Sequence, residues 1–537
     1  MKILNSKSVV VTGASRSNRQ AGMALIIVLL LLLLVSAIGL GMTFMAHTET
    51  SINANYRDSQ LAFFAMRAGL EEVHDRLRTT SPWSIAPPTV SPGNLNSILY
   101  IVNPAAGDNV DPKTAGNAYF DDEFCHENFN LGLANPGVGV PCTAAPPAGS
   151  VAAYVNSMEP YINTASALKY KWMRITLKEN GTFANGGAAN YVDAGQPATT
   201  QVCYQSLAGQ EIPVTLVPGG PFGSCAAAVQ AGQDASPVYV ITSLAITPNG
   251  SRRMGQYEMA SINIATPPTA LGMDGPAAVF NPTPSSSNYF ISGTDSGKAG
   301  FTGPASGNAG TGACNPTGAT VPAISTGDAA GVAGIKGQLV GPPDRSGNYT
   351  GAGGTPSIVN SGPGGTGAFS GEWSTPANLN NMVKSLATIA DNTYSGCGIN
   401  GVGGAGCSPG AVGTAGNPQI TYVNGDFNYG NNTSGEGVLI VTGTLSFTGN
   451  AAFNGLILVI GQGKIVESGG GNGGFNGSVF IANTNSTASP FAQLPTLGTP
   501  TIAWNGGGKA FIQYNSCWAN VLNGSAYTVV ASREEMY

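Results

Sequence analysis

Charged side chains are scarce in this chain of 537 residues. Asp, Glu, Lys and Arg together make up 9% of the sequence, against about 25% in ordinary soluble domains. This composition is typical of a secreted or surface protein rather than of a cytosolic enzyme. The formal net charge is −6 at pH 7, which provides no basic surface, so we expect no nucleic acid among the partners.

Histidine is nearly absent as well. The chain has three, His47, His74 and His126, and the first two fall in a predicted long helix. The single remaining histidine argues against a histidine-based metal centre or nucleophile site. A CxxC metal motif is also missing. We therefore expect no enzymatic activity, no cofactor and no bound metal.

One acidic cluster needs a separate interpretation. The segment 119–129 contains four carboxylates, Asp121, Asp122, Glu123 and Glu127. Carboxylate oxygens are ligands that Ca²⁺ prefers, so a calcium site is one interpretation. A solvated loop beside a disulfide is the other.

One stretch carries no charge at all, the 26 residues from Ala21 to Ala46. As a helix it is about 39 Å long, which exceeds the roughly 30 Å of a bilayer's hydrocarbon core. A secretory signal has an apolar core of only about 7–15 residues, so we expect this run to stay on the mature protein. Four basic residues precede it, and the first acidic residue is Glu49. This asymmetry predicts a single pass through a bacterial inner membrane, with a cytoplasmic N-terminus and an exported remainder.

The helical pattern continues beyond the apolar run. Apolar side chains recur at helical spacing as far as Leu77; they are Ile52, Tyr56, Phe63, Met66, Leu70, Val73 and Leu77. Pro82 and the pair Pro87–Pro88 follow, so we predict a helix over 23–78. Its first half suits lipid or a helix bundle, and its second half suits packing on a globular head.

The N-terminal residues resemble those of a known family. The basic leader 1–22, ending in Gly22 and followed by Met23, resembles the class III signal of type IV pilins. The stretch INANYRDSQLAFFAMRAGLEEV (52–73) resembles the PilX family of pilus assembly proteins, and VITSLAITPNGSRRMGQYEM (240–259) resembles the last hairpin of their heads.

This resemblance implies processing and partners. A prepilin peptidase would cleave between Gly22 and Met23, and the new N-terminus at Met23 would be methylated. The helix would then pack against other major and minor pilins in a filament and move from the inner membrane to the pilus or cell surface. The residues expected in the membrane and in the filament core are Leu25, Ile26, Ile27, Val28, Leu32, Val35 and Ile38.

One position departs from the family pattern. Major pilins carry Glu at the fifth mature position, where this chain has Ile27. By the resemblance, that carboxylate meets the N-terminal amine of a neighbouring subunit, and a subunit at the end of a filament has no such neighbour. Ile27 therefore favours a minor pilin at the tip or at initiation. A secretion-system pseudopilin and a membrane-anchored adhesin or carbohydrate-binding protein are the alternatives.

The cysteines also indicate export. All eight follow the apolar run, and an even number in an oxidising compartment predicts disulfides. Neighbours in sequence suggest the pairs Cys125–Cys142, Cys203–Cys225 and Cys397–Cys407, which leaves Cys314 with Cys517. This connectivity is a hypothesis, because eight cysteines allow many pairings.

The sequence divides the exported part into three regions and predicts an α+β fold. Strand-like alternation in residues 79–270 predicts an antiparallel β head packed on the long helix, with a hairpin around Pro248–Gly250. Residues 271–412 are rich in Gly, Ser and Pro; they form either a flexible linker or a loop-rich elaboration pinned by Cys314. We predict a short helix over 376–391 within them, capped by Thr375 and starting at Pro376.

Residues 413–537 contain a repeat. VNGDFNY (423–429) and VTGTLSF (441–447) align at a spacing of 18, with a looser copy, IGQGKIV (460–466), one residue further on. The segments that begin at Gly437, Gly455 and Gly477 step by 18 and then 22. Short strands at such a period predict a β-solenoid, with a β-sandwich as the alternative. Polysaccharide lyases also use β-helices, but the four charges between 413 and 500 are too few for such chemistry; binding to a surface or polysaccharide stays open.

Overall fold

The computed structural model describes residues 19–78, 84–88, 98–102, 108–126, 142, 151–156, 170–182, 190–206, 208–230, 233–262, 266–281, 287–297, 318–340, 343–408, 410, 412–414, 416–430, 432–468, 471–504, 509–522 and 527–536. Within them one long helix, α1 (Arg19–Leu77), precedes a mostly β remainder. The predicted α+β class and the predicted long helix are confirmed, and the helix extends over 59 residues.

The first lobe is a sheet that packs on the second half of α1. The strands of this lobe are β1 (Ile98–Val102), β2 (Val151–Asn156), β3 (Trp172–Leu177), β4 (Gly181–Thr182), β5 (Asn190–Tyr191), β6 (Val202–Gln205), β7 (Gln210–Pro213), β8 (Ser236–Ile246) and β9 (Arg252–Ser261). Of these, β4 and β5 pair with each other in a separate two-stranded sheet. The short helices of the lobe are the 3₁₀ turns η1 (Phe124–His126) and η2 (Val214–Leu216) and the helix α2 (Cys225–Gln230). The predicted hairpin is β8–β9, which pair antiparallel from Val238↔Ala260 to Ile246↔Arg252.

We predicted a purely antiparallel sheet, and this prediction is wrong for one strand pair. The order runs β2-β1-β3-β8-β9, and β6 and β7 continue from the start of β8. The pair β1–β2 is parallel, with Ile98 opposite Val151. The two strands are separated by 48 residues of chain, which is long enough for the crossover that parallel pairing requires.

The second lobe begins at residue 271. Its strands are β10 (Leu271–Asp274), β11 (Val279–Phe280), β12 (Phe290–Ser292), β13 (Ile324–Thr326), β14 (Tyr349–Thr350), β15 (Ile358–Asn360), β16 (Asn392–Tyr394), β17 (Gln419–Val423), β18 (Phe427–Tyr429), β19 (Ser434–Val441), β20 (Thr444–Thr448), β21 (Ala452–Gly461), β22 (Lys464–Ser468), β23 (Gly474–Asn485), β24 (Gln493–Gly498), β25 (Thr501–Trp504) and β26 (Phe511–Tyr514). Its helices are α3 (Ala329–Leu339), the 3₁₀ turns η3 (Ser346–Asn348) and η4 (Gly371–Trp373), α4 (Pro376–Thr388) and α5 (Ser516–Ala519).

Two parallel sheets stack along this lobe. One has the order β14-β12-β26-β23-β21-β19-β17-β16, and the other β11-β25-β22-β20-β18. Apart from the antiparallel pair β23–β24, every described strand pair in the two sheets is parallel. Side chains from both sheets, such as Leu439, Val459, Leu445 and Ile465, meet in one buried core. The outer face of the larger sheet packs on α4 and α5.

The repeat predicted from sequence sets the register. Gly437 pairs with Gly455 and Gly455 with Gly477, so the offsets are 18 and 22 as predicted. All three glycines have positive φ, and a Cβ on Gly455 or Gly477 would lie 1.8 Å from the carbonyl oxygen of the glycine before it in the stack. Only glycine fits such positions.

The looser copy was misaligned by one residue. Val441 pairs with Val459, an offset of 18, whereas Thr444 pairs with Lys464, an offset of 20. The predicted offset of 19 occurs in neither strand. Two more residues lie between Val459 and Lys464 than between Val441 and Thr444. The corner after β21 is therefore longer than the corner after β19.

Residues 271–412 are not a separate linker where the structure describes them. Leu271 of β10 pairs with Val479 of β23, and β12 pairs with β26, so these short strands widen the larger sheet. Cys314 lies outside the described residues. The predicted helix 376–391 is α4, which ends earlier, at Thr388; Thr375 accepts a hydrogen bond from the backbone of Asn378, and Pro376 is the first helical residue.

The chain does not end in the second lobe. The last described strand, β27 (Tyr527–Met536), pairs antiparallel with β9, so it is an outer strand of the first sheet. The region 413–537, which the sequence assigned to one lobe, therefore contributes strands to both lobes. The first sheet, which we predicted within residues 79–270, therefore also includes β27 from outside that range.

The cysteines are disulfide-bonded as predicted where the structure describes them. Bonds join Cys125–Cys142, Cys203–Cys225 and Cys397–Cys407. Cys517 is also disulfide-bonded. The fourth predicted pair, with Cys314, falls outside the described residues and stays a prediction.

Candidate functional site

The first half of α1 is an apolar rod that packs on no other described part of the chain. Side chains from Met23 to Met45, including Leu25, Ile26, Ile27, Val28, Leu32, Val35 and Ile38, are at least half exposed wherever they are large and apolar. This is the one described helix long and apolar enough to cross a membrane, with a mean hydropathy of 3.1 in its best window. Exposing so much apolar surface to water is unfavourable, so this half requires lipid or other helices around it.

The second half of α1 is docked on the first sheet. Burial begins at Asp58 and Ala62 and continues through Met66 and Leu70 to Leu77. Ile52 and Tyr56, which the sequence placed on the buried stripe, are 60% and 68% exposed. The docked face therefore starts about two turns later than predicted, because the sheet does not reach the earlier turns.

Two glycines allow the helix to lie close to the sheet. A Cβ on Gly69 of α1 would lie 2.5 Å from Ser243 Oγ and 2.9 Å from Met173 Sδ. A Cβ on Gly255 of β9 would lie 2.3 Å from Met66 Sδ. Since real Cβ atoms do not approach so closely, both positions require the absence of a side chain.

A buried ion pair lies on the docked face. Arg76 Nε donates to Glu72 Oε1 at 2.8 Å, and Tyr170 donates to Glu72 Oε2 at 2.8 Å. Arg76 and Glu72 are 1% and 5% exposed. Burial raises the pKa of Glu72, and the bond from Tyr170 and the charge of Arg76 oppose that rise. Sequence reasoning missed this site, although an acidic and a basic residue four positions apart on a helix are a recognisable signal.

Polar contacts also fix the start of the docked face. Asn249, in the β8–β9 turn, donates to Asp58, and Arg253 of β9 donates to Ser59 at 2.6 Å. Ser59 falls between Tyr56 and Phe63 at the helical spacing of the apolar stripe, and this bond gives its hydroxyl a partner. The β8–β9 hairpin thus holds the helix where the exposed half of α1 ends.

The acidic cluster is neutralised by cations of the protein. Asp121 accepts from Arg174 and Tyr100, and Asp122 accepts from Lys171 and Arg252. Burial by itself would raise the pKa of Asp122, but the bonds and charges of Arg252 and Lys171 hold it below its ordinary value.

Because these carboxylates already have positive partners, the structure does not favour a calcium site among the described ones. Glu127 lies outside the described residues. Cys125, His126 and Cys142 lie within 4.8 Å of one another, but the disulfide leaves no thiolate to bind a metal.

Comparison with known protein families found a match within α1. The PilX N-terminal family model matches residues 21–70. No curated protein and no solved structure matches the chain. The matched segment, residues 21–70, covers both the exposed half of α1 and most of the docked face. Together with the apolar helix it supports a type IV pilin-like, membrane-anchored pilus component that interacts with other pilus components.

The predicted processing site lies at the start of this segment. Gly22 and Met23 are inside α1, which begins at Arg19. Residues 1–18 of the leader lie outside the described residues. Cleavage after Gly22 and methylation of Met23 stay predictions.

Proposed function

We propose that this protein is a minor subunit of a type IV pilus or related filament, located at the tip or at the initiating end. It is processed by prepilin peptidase between Gly22 and Met23. It is held in the inner membrane with its N-terminus in the cytoplasm before assembly, and its exported head serves assembly or surface adhesion. It has no catalytic role. The observation that carries this proposal is the division of α1 into an exposed apolar half and a docked half within a PilX N-terminal match.

The exposed half is suited to two environments. Lipid tails and the helical core of a filament are both apolar, so an uncharged helix is stable in either without refolding. Counted from Met23, 35 residues precede the first described buried side chain, Asp58, which corresponds to roughly 50 Å of helix. That length exceeds the hydrocarbon core of a bilayer and leaves a short stalk below the head.

Ile27 supports the position at the end of the filament. A carboxylate in an apolar core costs several kcal/mol unless a cation partners it. In the family, the neighbour's amine is that partner. With Ile27 exposed on the rod, this subunit has nothing to select a neighbour's amine, so it starts or caps a filament better than it adds within one.

The second lobe supports a specialised head. We infer that its two parallel sheets form a β-solenoid, because the strands from β17 to β23 pair at offsets of 18 to 22 and bury one core between the sheets. Such a large head would crowd a lattice of identical copies, which is a second reason to place the protein at the tip.

Mass spectrometry of the N-terminus in membrane and pilus fractions is the decisive experiment. We expect a mature N-terminus at Met23 with one added methyl group. A retained Met1, or cleavage after the apolar run, would contradict the pilin assignment.

Deletion and localisation test the finer role. Loss of the gene should reduce surface piliation, and immunogold label should lie at filament ends and be scarce along the shaft. Even labelling along filaments would overturn the tip position. Unchanged piliation with reduced protein secretion would favour a pseudopilin, and unchanged filaments with reduced attachment would favour a separate adhesin.

A further inference from the structure

A cleft of about 480 Å³ opens in the second lobe, on the side of the larger sheet that faces α4. It is lined by α4, the disulfide loop 397–407, the C-terminal ends of β17, β19, β21 and β23, the loop 486–492, and β24. Its volume is within the range of small-ligand sites. It lies far along the chain from the helix that carries the proposed filament contacts.

Side-chain amides line much of the cleft and are held in place by one another. Asn380 donates to Asn485 Oδ1 at 3.1 Å and to Gln493 Oε1 at 3.0 Å, and it accepts from Thr484 at 2.8 Å. In the part of the chain that the structure describes, the amide NH₂ groups of Asn485 and Gln493 donate no hydrogen bond. They are fixed by their oxygens and present donors to the cleft.

The amide of Gln462 is also held by two hydrogen bonds. Gln462 donates to the carbonyl of Ser486 at 2.9 Å and accepts from Asn400 at 3.0 Å. Asn400 has a φ of +51° and belongs to the loop closed by Cys397–Cys407. The disulfide therefore restrains the loop whose Asn400 orients the side chain of Gln462. A side chain that is already held in place loses less conformational entropy when a ligand binds.

Two aromatic rings complete the cleft. Tyr422 is half-buried, and among the described residues its hydroxyl has no hydrogen-bond partner. Phe491 has a φ of +55°, a left-handed conformation that a bulky residue rarely adopts, and its backbone N–H is held by Ala488 O at 2.8 Å. Strained residues of this kind occur at ligand-binding loops. One lining residue is charged, Lys384.

We propose that this cleft binds an oligosaccharide. Sugar rings present many hydroxyl groups, which planar amides match as donors and acceptors, and they present C–H faces that pack on aromatic rings. A cleft of fixed amides with two aromatic rings and a single charge fits that chemistry better than it fits a peptide anchor or a nucleotide. The proposal rests on the proposed function in one respect only, that the lobe is exported and meets surface polysaccharides.

The test uses the full-length protein in lauryldimethylamine oxide micelles, because this detergent has no sugar headgroup that would compete. Binding is measured on an array of immobilised oligosaccharides with a neutral set and a uronate-containing set. Tyr422→Ala and Phe491→Ala should each weaken binding by about tenfold, and Gln493→Ala, at an exposed position, should weaken it without affecting folding. Phe290→Ala and Gln210→Ala, a partly exposed phenylalanine and an exposed amide outside the cleft, are the matched controls.

The two sets identify the source of the ligand. If Lys384→Gln weakens only the uronate set, the ligand is an acidic polysaccharide; if neither set depends on Lys384, it is a neutral one. No binding to either set, or equal loss in cleft and control variants, overturns the proposal. Its failure leaves the filament assignment standing if the N-terminus is at Met23, and a retained Met1 with intact sugar binding would overturn only the filament assignment.

Discussion

Arg78, one residue beyond α1, donates a hydrogen bond to Asp391 at 2.6 Å, although 313 positions separate them in the chain. Asp391 also accepts from the backbone N–H of Ile420 at 2.9 Å, at the start of the repeat. The end of the pilin-like helix is thereby joined to the second lobe. The orientation of that lobe relative to α1 depends in part on this contact.

This contact should contribute little to the free energy of unfolding. The two side chains are 30% and 16% exposed, and pairs of this kind contribute about 1 kcal/mol or less. We expect Arg78→Ala and Asp391→Ala to couple by that amount in a double-mutant cycle measured by thermal unfolding. A coupling several times larger would mean that the lobes unfold as one unit through this pair.

Gly69→Ala should destabilise the protein, although alanine favours helices over glycine by about 1 kcal/mol. The added methyl group would press on Ser243 and Met173 and separate the helix from the sheet. Gly41→Ala is the matched control, because nothing lies within 4 Å of its added carbon. Thermal unfolding in detergent should show a lower midpoint for the first variant and an unchanged or higher one for the second.

Arg76→Met should be severely destabilising, by about 3–5 kcal/mol, because Glu72 would remain buried without its cation. The raised pKa of Glu72 would rise further, so the loss should be greater at pH 8 than at pH 5. The double variant Glu72→Gln, Arg76→Met should recover much of the stability. A double variant as unstable as the single one would show that packing by Arg76, and not its charge, matters.

Asp274 should make the second lobe more stable in mild acid. Burial raises its pKa to about 7, opposed by the N–H of Gly275, so the folded protein keeps a proton that the unfolded chain releases near pH 4. Its favourable contribution is complete below about pH 4 and is lost as the pH rises towards 7.

Asp274→Asn should therefore raise the unfolding free energy by about 1–3 kcal/mol at pH 8 and much less at pH 4.5. Asp344→Asn is the control. Asp344 is exposed, and the bonds from Ser346 lower its pKa, so its effect should be equal at both values. An equal gain from Asp274→Asn at both pH values would contradict the assigned protonation.

The remaining disulfide should join Cys314 to Cys517. Cys517 is fully buried and bonded, while the other three pairs account for six of the eight cysteines. Peptide mapping without reduction should find one linked peptide containing both residues, and reduction should release it. A linked peptide joining two protein molecules through Cys517 would be the contrary result.

The sequence predicted those features that are local. The helix α1 follows from spacing within a few turns, and the register of Gly437, Gly455 and Gly477 follows from a repeat of similar segments. The strands β10 and β12 could not be found, because they are three or four residues long and pair with segments about 200 positions away. The cleft was missed for the same reason, since Asn380 and Gln493 meet only after folding.

The pairing of β27 with β9 has a consequence for the timing of folding. The partner of Tyr527 is Ser261, so the outer strand of the first sheet arrives 266 residues after the strand that it covers. Until then, β9 presents an open edge of backbone N–H and C=O groups, which invites pairing with other chains. A chain that stops within the second lobe would keep that edge open, where it is a target for chaperones and proteases. Closure of the first sheet thus depends on completion of the second lobe.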